Sequence, residues 1–144
     1  MRSIVGLGIL AFSVAAFAAD VGEVKTSSGT AHVEREGASL PVKVGMQVRQ
    51  SDKLVTGADG AVGITFLDNT LVSAGPNSTL VIDSYRFDTT THAGKFDASL
   101  SRGSLAVISG KMVKQSPEAM LIRTPASVLG VRGTEFVVKV ADTD

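Results

Sequence analysis

Asp59-Gly60-Ala61-Val62-Gly63-Ile64-Thr65-Phe66-Leu67-Asp68-Asn69-Thr70 alternates apolar with small or polar residues and lies between two turn-forming pairs. Successive side chains on a strand point to opposite faces, so Val62, Ile64 and Phe66 share one face while Gly63 and Thr65 share the other. The same period of two returns outward from this segment. Leu80 and Ile82 alternate with Val81 and Asp83, Leu105 and Val107 with Ala106 and Ile108, and Phe136, Val138 and Val140 with Val137 and Lys139. Phe66 and Phe136 are both expected to be buried.

Turn signals separate these runs at short intervals: Ser28-Gly29, Glu36-Gly37, Asp68-Asn69, Gly75-Pro76-Asn77, Ala93-Gly94, Arg102-Gly103 and Ser109-Gly110. Asp59-Gly60 reads as a two-residue type I′ hairpin, which needs positive φ at both positions. Helical periodicity is limited to a single turn near Pro117 to Ala119. The expected fold is all-β, with short strands in a β-solenoid-like or twisted β-roll arrangement. The spacing of Val44-Gly45, Thr56-Gly57 and Ala74-Gly75 suits stacked coils, and a β-sandwich is the alternative.

The N-terminus reads as an export signal. Met1-Arg2 is a short positive start, Ile4 to Ala16 is apolar and uncharged, and Ala16-Phe17-Ala18 places small residues at the −3 and −1 positions of a signal-peptidase site. Cleavage after Ala18 divides the chain into a signal peptide, 1–18, and a domain, 19–144. The apolar stretch is short for a membrane span. No Cys follows the cleavage site, so the exported domain is expected to be periplasmic, with further release as a second destination.

Composition narrows the chemistry. Loss of the leader removes Arg2 and leaves a net charge of −1, which lacks the basic excess a nucleic-acid partner requires. The chain has no Cys, so neither disulfides nor Cys-based zinc or redox sites are available. His32 and His92 stand alone, without metal-ligand spacing. Ser78, Ser104 and Ser109 lie near glycines but lack the strand-to-helix elbow of a hydrolase nucleophile. Asp83, Asp88 and Asp97 match no calcium loop. No catalytic residue, metal or cofactor is expected.

The last part of the chain, Thr124-Pro125-Ala126-Ser127-Val128-Leu129-Gly130-Val131-Arg132-Gly133-Thr134-Glu135-Phe136, carries a dense pattern. Proline removes a donor and biases Thr124 towards extended backbone. Gly130 and Gly133 permit positive φ or close approach around Val131-Arg132, after which Thr134 starts the last strand. Arg132 then either braces the bend or anchors a partner. Tyr85, the single tyrosine, joins Thr124, Pro125, Gly130, Arg132, Gly133 and Thr134 as the candidate partner-binding or structural residues.

Together with Asp52-Lys53-Leu54-Val55-Thr56-Gly57-Ala58-Asp59-Gly60, Phe66-Leu67-Asp68-Asn69-Thr70, Gly75-Pro76-Asn77-Ser78 and Arg102-Gly103-Ser104-Leu105, this segment resembles the FecR domain across nearly the whole mature chain. Asn69 stands where glycine is commoner in that pattern. The best-known members are inner-membrane anti-sigma regulators whose periplasmic domain senses an occupied outer-membrane transporter. This chain has a signal where the cytoplasmic part would lie, so it is similar to the stand-alone exported form. The resemblance implies a non-catalytic module for protein-protein interaction or envelope sensing, with an envelope protein as partner. Polysaccharide binding is the alternative. The absence of Trp and the single Tyr disfavour it, since sugar faces are usually held by exposed aromatic rings.

Overall fold

Alternation becomes strand throughout the computed structural model, which describes residues 19–130 and 135–140. The strands are β1 (Asp20–Ser28), β2 (Ala31–Arg35), β3 (Ala38–Pro41), β4 (Gln47–Arg49), β5 (Lys53–Thr56), β6 (Ala61–Phe66), β7 (Leu71–Ala74), β8 (Thr79–Phe87), β9 (Gly94–Ile108), β10 (Met120–Arg123), β11 (Val128–Gly130) and β12 (Glu135–Val140). One short helix, α1 (Lys111–Gln115), follows β9. The expected all-β class holds. The expected leader lies outside the described residues.

The strands run in the order β3-β2-β5-β8-β9-β7-β6-β1-β4, with β10 and β12 also pairing with β9. This is a curled antiparallel half-barrel, the rolled form of the expected architecture. Its ladders are antiparallel among the described residues, except that β10 runs parallel to β9.

β9 produces the curl. Its first part pairs with β8 and β10, whereas its last residues pair with β7 and β12. Between these parts Gly103 adopts φ +90°, and a Cβ there would lie 2.2 Å from Ser78 Oγ and 2.7 Å from the Asn77 carbonyl oxygen. Only glycine fits both the left-handed backbone and the close approach. The bend carries one long strand from one wall of the roll into the other, so both walls enclose the same core.

The inward residues close that core. Val62, Ile64 and Phe66 are buried from β6, Leu80 and Ile82 from β8, and Leu105 and Val107 from β9. Phe66, Tyr85 and Phe96 form an aromatic cluster with ring centroids 4.6 to 5.4 Å apart. Full burial of such a side chain stabilises by about 1.5–3 kcal/mol. Phe136 departs from expectation: it packs against the core but is only partly buried. It sits on β12, which has a paired neighbour on one side only among the described residues.

Turn chemistry differs from the sequence reading at several points. Asp59 and Gly60 do not have positive φ and do not form a type I′ hairpin. The strands they connect, β5 and β6, do not pair; the segment crosses between the walls of the roll, closed by Gly60 N–H to the Gly57 carbonyl at 3.0 Å. A Cβ on Gly60 would lie 2.3 Å from the Thr30 carbonyl oxygen, so glycine is required for close approach. The tight hairpin is instead Glu36-Gly37, at φ 51° and 79°, which joins β2 to β3 through the facing pair Arg35 and Ala38. The helical turn occupies Lys111–Gln115 rather than Pro117 to Ala119. Gly130 lies extended in β11 without the positive φ expected of it, and among the described residues a Cβ there would meet only Leu121 Cδ2, at 4.0 Å.

Candidate interaction surface

Five polar residues of the sequence motifs, Asp52, Thr56, Asp68, Thr70 and Ser78, are buried in the fold. Asp68 is completely buried after β6 and accepts hydrogen bonds from Tyr85 OH at 2.9 Å, Thr70 Oγ1 at 2.8 Å and Met112 N–H at 3.3 Å. Its own N–H donates to Tyr85 OH at 3.0 Å, and Thr70 Oγ1 accepts from Gly110 N–H at 3.1 Å. This clamp ties the β6–β7 turn to β8 and to the start of α1. Burial, followed by the nearby Asp68 carboxylate, pushes the Tyr85 phenol well above its usual range. Tyr85 is only 4% exposed, so its role in the described fold is structural.

A second clamp holds the β9 bend. Ser78 Oγ donates to the Ser104 carbonyl at 3.1 Å and accepts from Ser104 N–H at 3.0 Å. Ser78 N–H donates to Thr56 Oγ1 at 2.8 Å, and Thr56 Oγ1 donates to the Gly75 carbonyl at 2.6 Å. Both Thr56 and Ser78 are buried. These hydroxyls satisfy turn backbone that would otherwise lose water without compensation.

The third is ionic. Arg35 donates through Nε to Asp52 Oδ1 at 2.8 Å and through Nη2 to Oδ2 at 2.6 Å, and also reaches the Gln47 carbonyl at 3.0 Å. Arg49 N–H completes the carboxylate's shell at 2.9 Å. Hydrogen bonding to Asp52 raises the Arg35 pKa, keeping the guanidinium charged.

The remaining candidates do not converge. Thr124 N–H donates to the Ser127 carbonyl at 2.8 Å, closing the turn from β10 to β11, with Pro125 exposed at its tip. Arg132, Gly133 and Thr134 lie outside the described residues, as does the expected bend around them. Ser99 donates to Asp83, Asp88 accepts from Thr90 and Thr91 N–H within its own turn, and Asp97 is contacted by Ser84 and Lys95. The turn amides lower the Asp88 pKa. His32 lies beside Glu34 and His92 stacks on Phe87. Among the described residues no group of three or more His, Cys, Asp or Glu could hold a metal ion.

Asp52, Thr56, Asp68, Thr70, Ser78 and Ser104 of these clamps fall on motif positions, whereas Arg35 and Tyr85 do not, and the family model described as FecR protein matches residues 52–144, well over half of the chain. The chain belongs to the FecR family. FecR proteins form a regulatory, non-enzymatic, envelope-associated family. The geometry gives the FecR pattern a physical meaning: Asp52, Thr56, Asp68, Ser78 and Gly103 hold turns and the bend of β9. Asn69, the departure from that pattern, has φ 68°, a left-handed conformation that Asn tolerates better than most residues. No curated protein and no solved structure matches the chain. No helix among the described residues is long and apolar enough to cross a membrane.

Three large apolar side chains stand exposed on the outer side of the sheet. Leu71 faces Ile108 across β7 and β9, and Ala106 of β9 faces Val137 of β12. Leu71, Ile108 and Val137 are 41%, 42% and 61% exposed. The sequence shows Ile108 and Val137 opposite the core-facing residues of their strands, but only the register reveals that they share a surface with Leu71.

Proposed function

We propose that this FecR chain is a non-catalytic periplasmic module that docks an envelope protein for signalling or sensing through the outer sheet face bearing Leu71 and Ile108. The observation that carries the reading is a division of labour: the motif's buried polar side chains, Asp52, Thr56, Asp68, Thr70 and Ser78, are engaged in internal clamps, while the facing pair Leu71 and Ile108 stands uncovered. Contiguous exposed apolar surface characterises interaction sites, whereas isolated exposed apolar residues do not. Among the described residues no aromatic side chain is classed as exposed, which supports a protein partner over polysaccharide.

The apolar stretch from Ile4 and the Ala16-Phe17-Ala18 site support export with cleavage after Ala18. N-terminal analysis of the exported protein is expected to begin at Ala19; retention of Met1 would replace the released form with an anchored one. A photo-crosslinking residue at Ile108 in intact cells tests the docking face. A specific envelope-protein adduct is the expected result, and an adduct bearing glycan alone would favour the polysaccharide reading.

A further inference from the structure

β12 has a second feature beyond the face it contributes to. Its alternation puts Glu135, Val137 and Lys139 outward, and all three are exposed. Across the pairing with β9, Glu135 faces Ile108, Val137 faces Ala106 and Lys139 faces Ser104, so neither charge meets an opposite charge in that ladder. No strand pairs with the other edge of β12 among the described residues. Among the described residues that edge presents unpaired backbone to which another strand can add.

We propose that the occupant is a second copy of this chain, with β12 pairing antiparallel to β12 about a two-fold axis at Val137. In this register Val137 faces its own copy, Glu135 faces Lys139, and the symmetry repeats the ion pair on the other side. Phe136 faces Val138 on the inner side, joining partly buried and buried apolar residues across the junction. Moving the axis to Val138 would instead place Val137 opposite Lys139 and Phe136 opposite Val140, removing the charge match. A parallel, in-register pairing would stack like charges. The charge order along β12 therefore selects both direction and register. This contact uses the strand edge and does not depend on the envelope partner proposed for the sheet face.

The absence of native Cys makes the geometry directly testable in the exported chain. Facing residues on antiparallel strands have Cα atoms about 4.5–5.5 Å apart, within disulfide reach, whereas Glu135 and its symmetry mate would be roughly 13 Å apart. Oxidation of Val137→Cys is expected to give a disulfide-linked dimer, while Glu135→Cys remains uncrosslinked. Sedimentation should show a concentration-dependent dimer that weakens about tenfold or more in either Glu135→Lys or Lys139→Glu. The double exchange should restore it, with thermal melts showing that each variant folds. A monomer at every concentration, crosslinking at position 135 instead of 137, or failure of the double exchange to restore the dimer would overturn the proposal. A monomer that still yields the envelope-protein adduct at Ile108 would reject self-pairing and retain the docking reading; a dimer without that adduct would do the reverse.

Discussion

Replacing Tyr85 with Phe isolates the value of one buried clamp. The ring can keep its contacts with Phe66 and Phe96, but the hydroxyl that accepts from Asp68 N–H and donates to Asp68 Oδ1 is removed. Asp68 is completely buried, so water does not readily replace either bond. Each unsatisfied buried group costs about 1–3 kcal/mol; the carboxylate retains bonds from Thr70 and Met112, giving an expected loss of about 2–4 kcal/mol. Urea unfolding should show a lower midpoint with an unchanged slope. A stability within about 0.5 kcal/mol of the parent would refute the assignment of this hydroxyl as a structural clamp, because that difference is no larger than an ordinary surface substitution.

The same residue gives a pH prediction. Its folded pKa is raised above the unfolded value, chiefly by burial, so its contribution is complete below about pH 10. Above that point the unfolded chain releases the proton while the folded chain retains it, and stability falls by about 1.4 kcal/mol per pH unit from this group. Tyr85 is the only tyrosine, so ultraviolet absorbance reports it without interference. Tyrosinate should appear together with unfolding, and Tyr85→Phe should remove one proton from the alkaline stability slope. Tyrosinate forming near pH 10 in protein that remains folded would contradict the buried assignment.

Other substitutions separate the elements of the fold. Phe66→Ala should cost about 3–5 kcal/mol in urea unfolding, and the partly buried Phe136→Ala distinctly less; equal losses would contradict their different burial. Gly103→Ala combines an unfavourable φ with a 2.2 Å approach to Ser78 Oγ, so circular dichroism should show loss of the folded state or a severe drop in melting temperature, and a parent-like melt would contradict the bend. Arg35→Ala leaves the Asp52 carboxylate 2% exposed without its ionic partner and should cost about 3–5 kcal/mol by chemical denaturation; a loss below about 1 kcal/mol would show that the pair contributes little.

The strand faces around Phe66, Leu80 and Leu105 were legible because period-two alternation maps directly onto the two sides of a sheet. Asp59-Gly60 was misleading because its preferred hairpin conformation yields to a crossing between walls of the roll, where the Thr30 backbone fixes the available space. Tyr85 and Asp68 are separated in sequence, and only folding reveals that they share a clamp. The contact face is similarly nonlocal: alternation exposes Ile108 and Val137, but only the ladders through β7, β9 and β12 set Ile108 opposite Leu71 and Val137 on the same side of the sheet.

The decisive comparison places Ser78→Ala and Leu71→Lys in two assays, urea stability and the in-cell yield of the Ile108 crosslink per folded molecule. If motif residues hold the FecR fold while the outer sheet face meets a partner, Ser78→Ala will lower the urea midpoint and preserve the normalised crosslink. Leu71→Lys will preserve the midpoint and lose the crosslink. Loss of crosslinking in Ser78→Ala at unchanged stability, with Leu71→Lys still captured normally, would contradict the account.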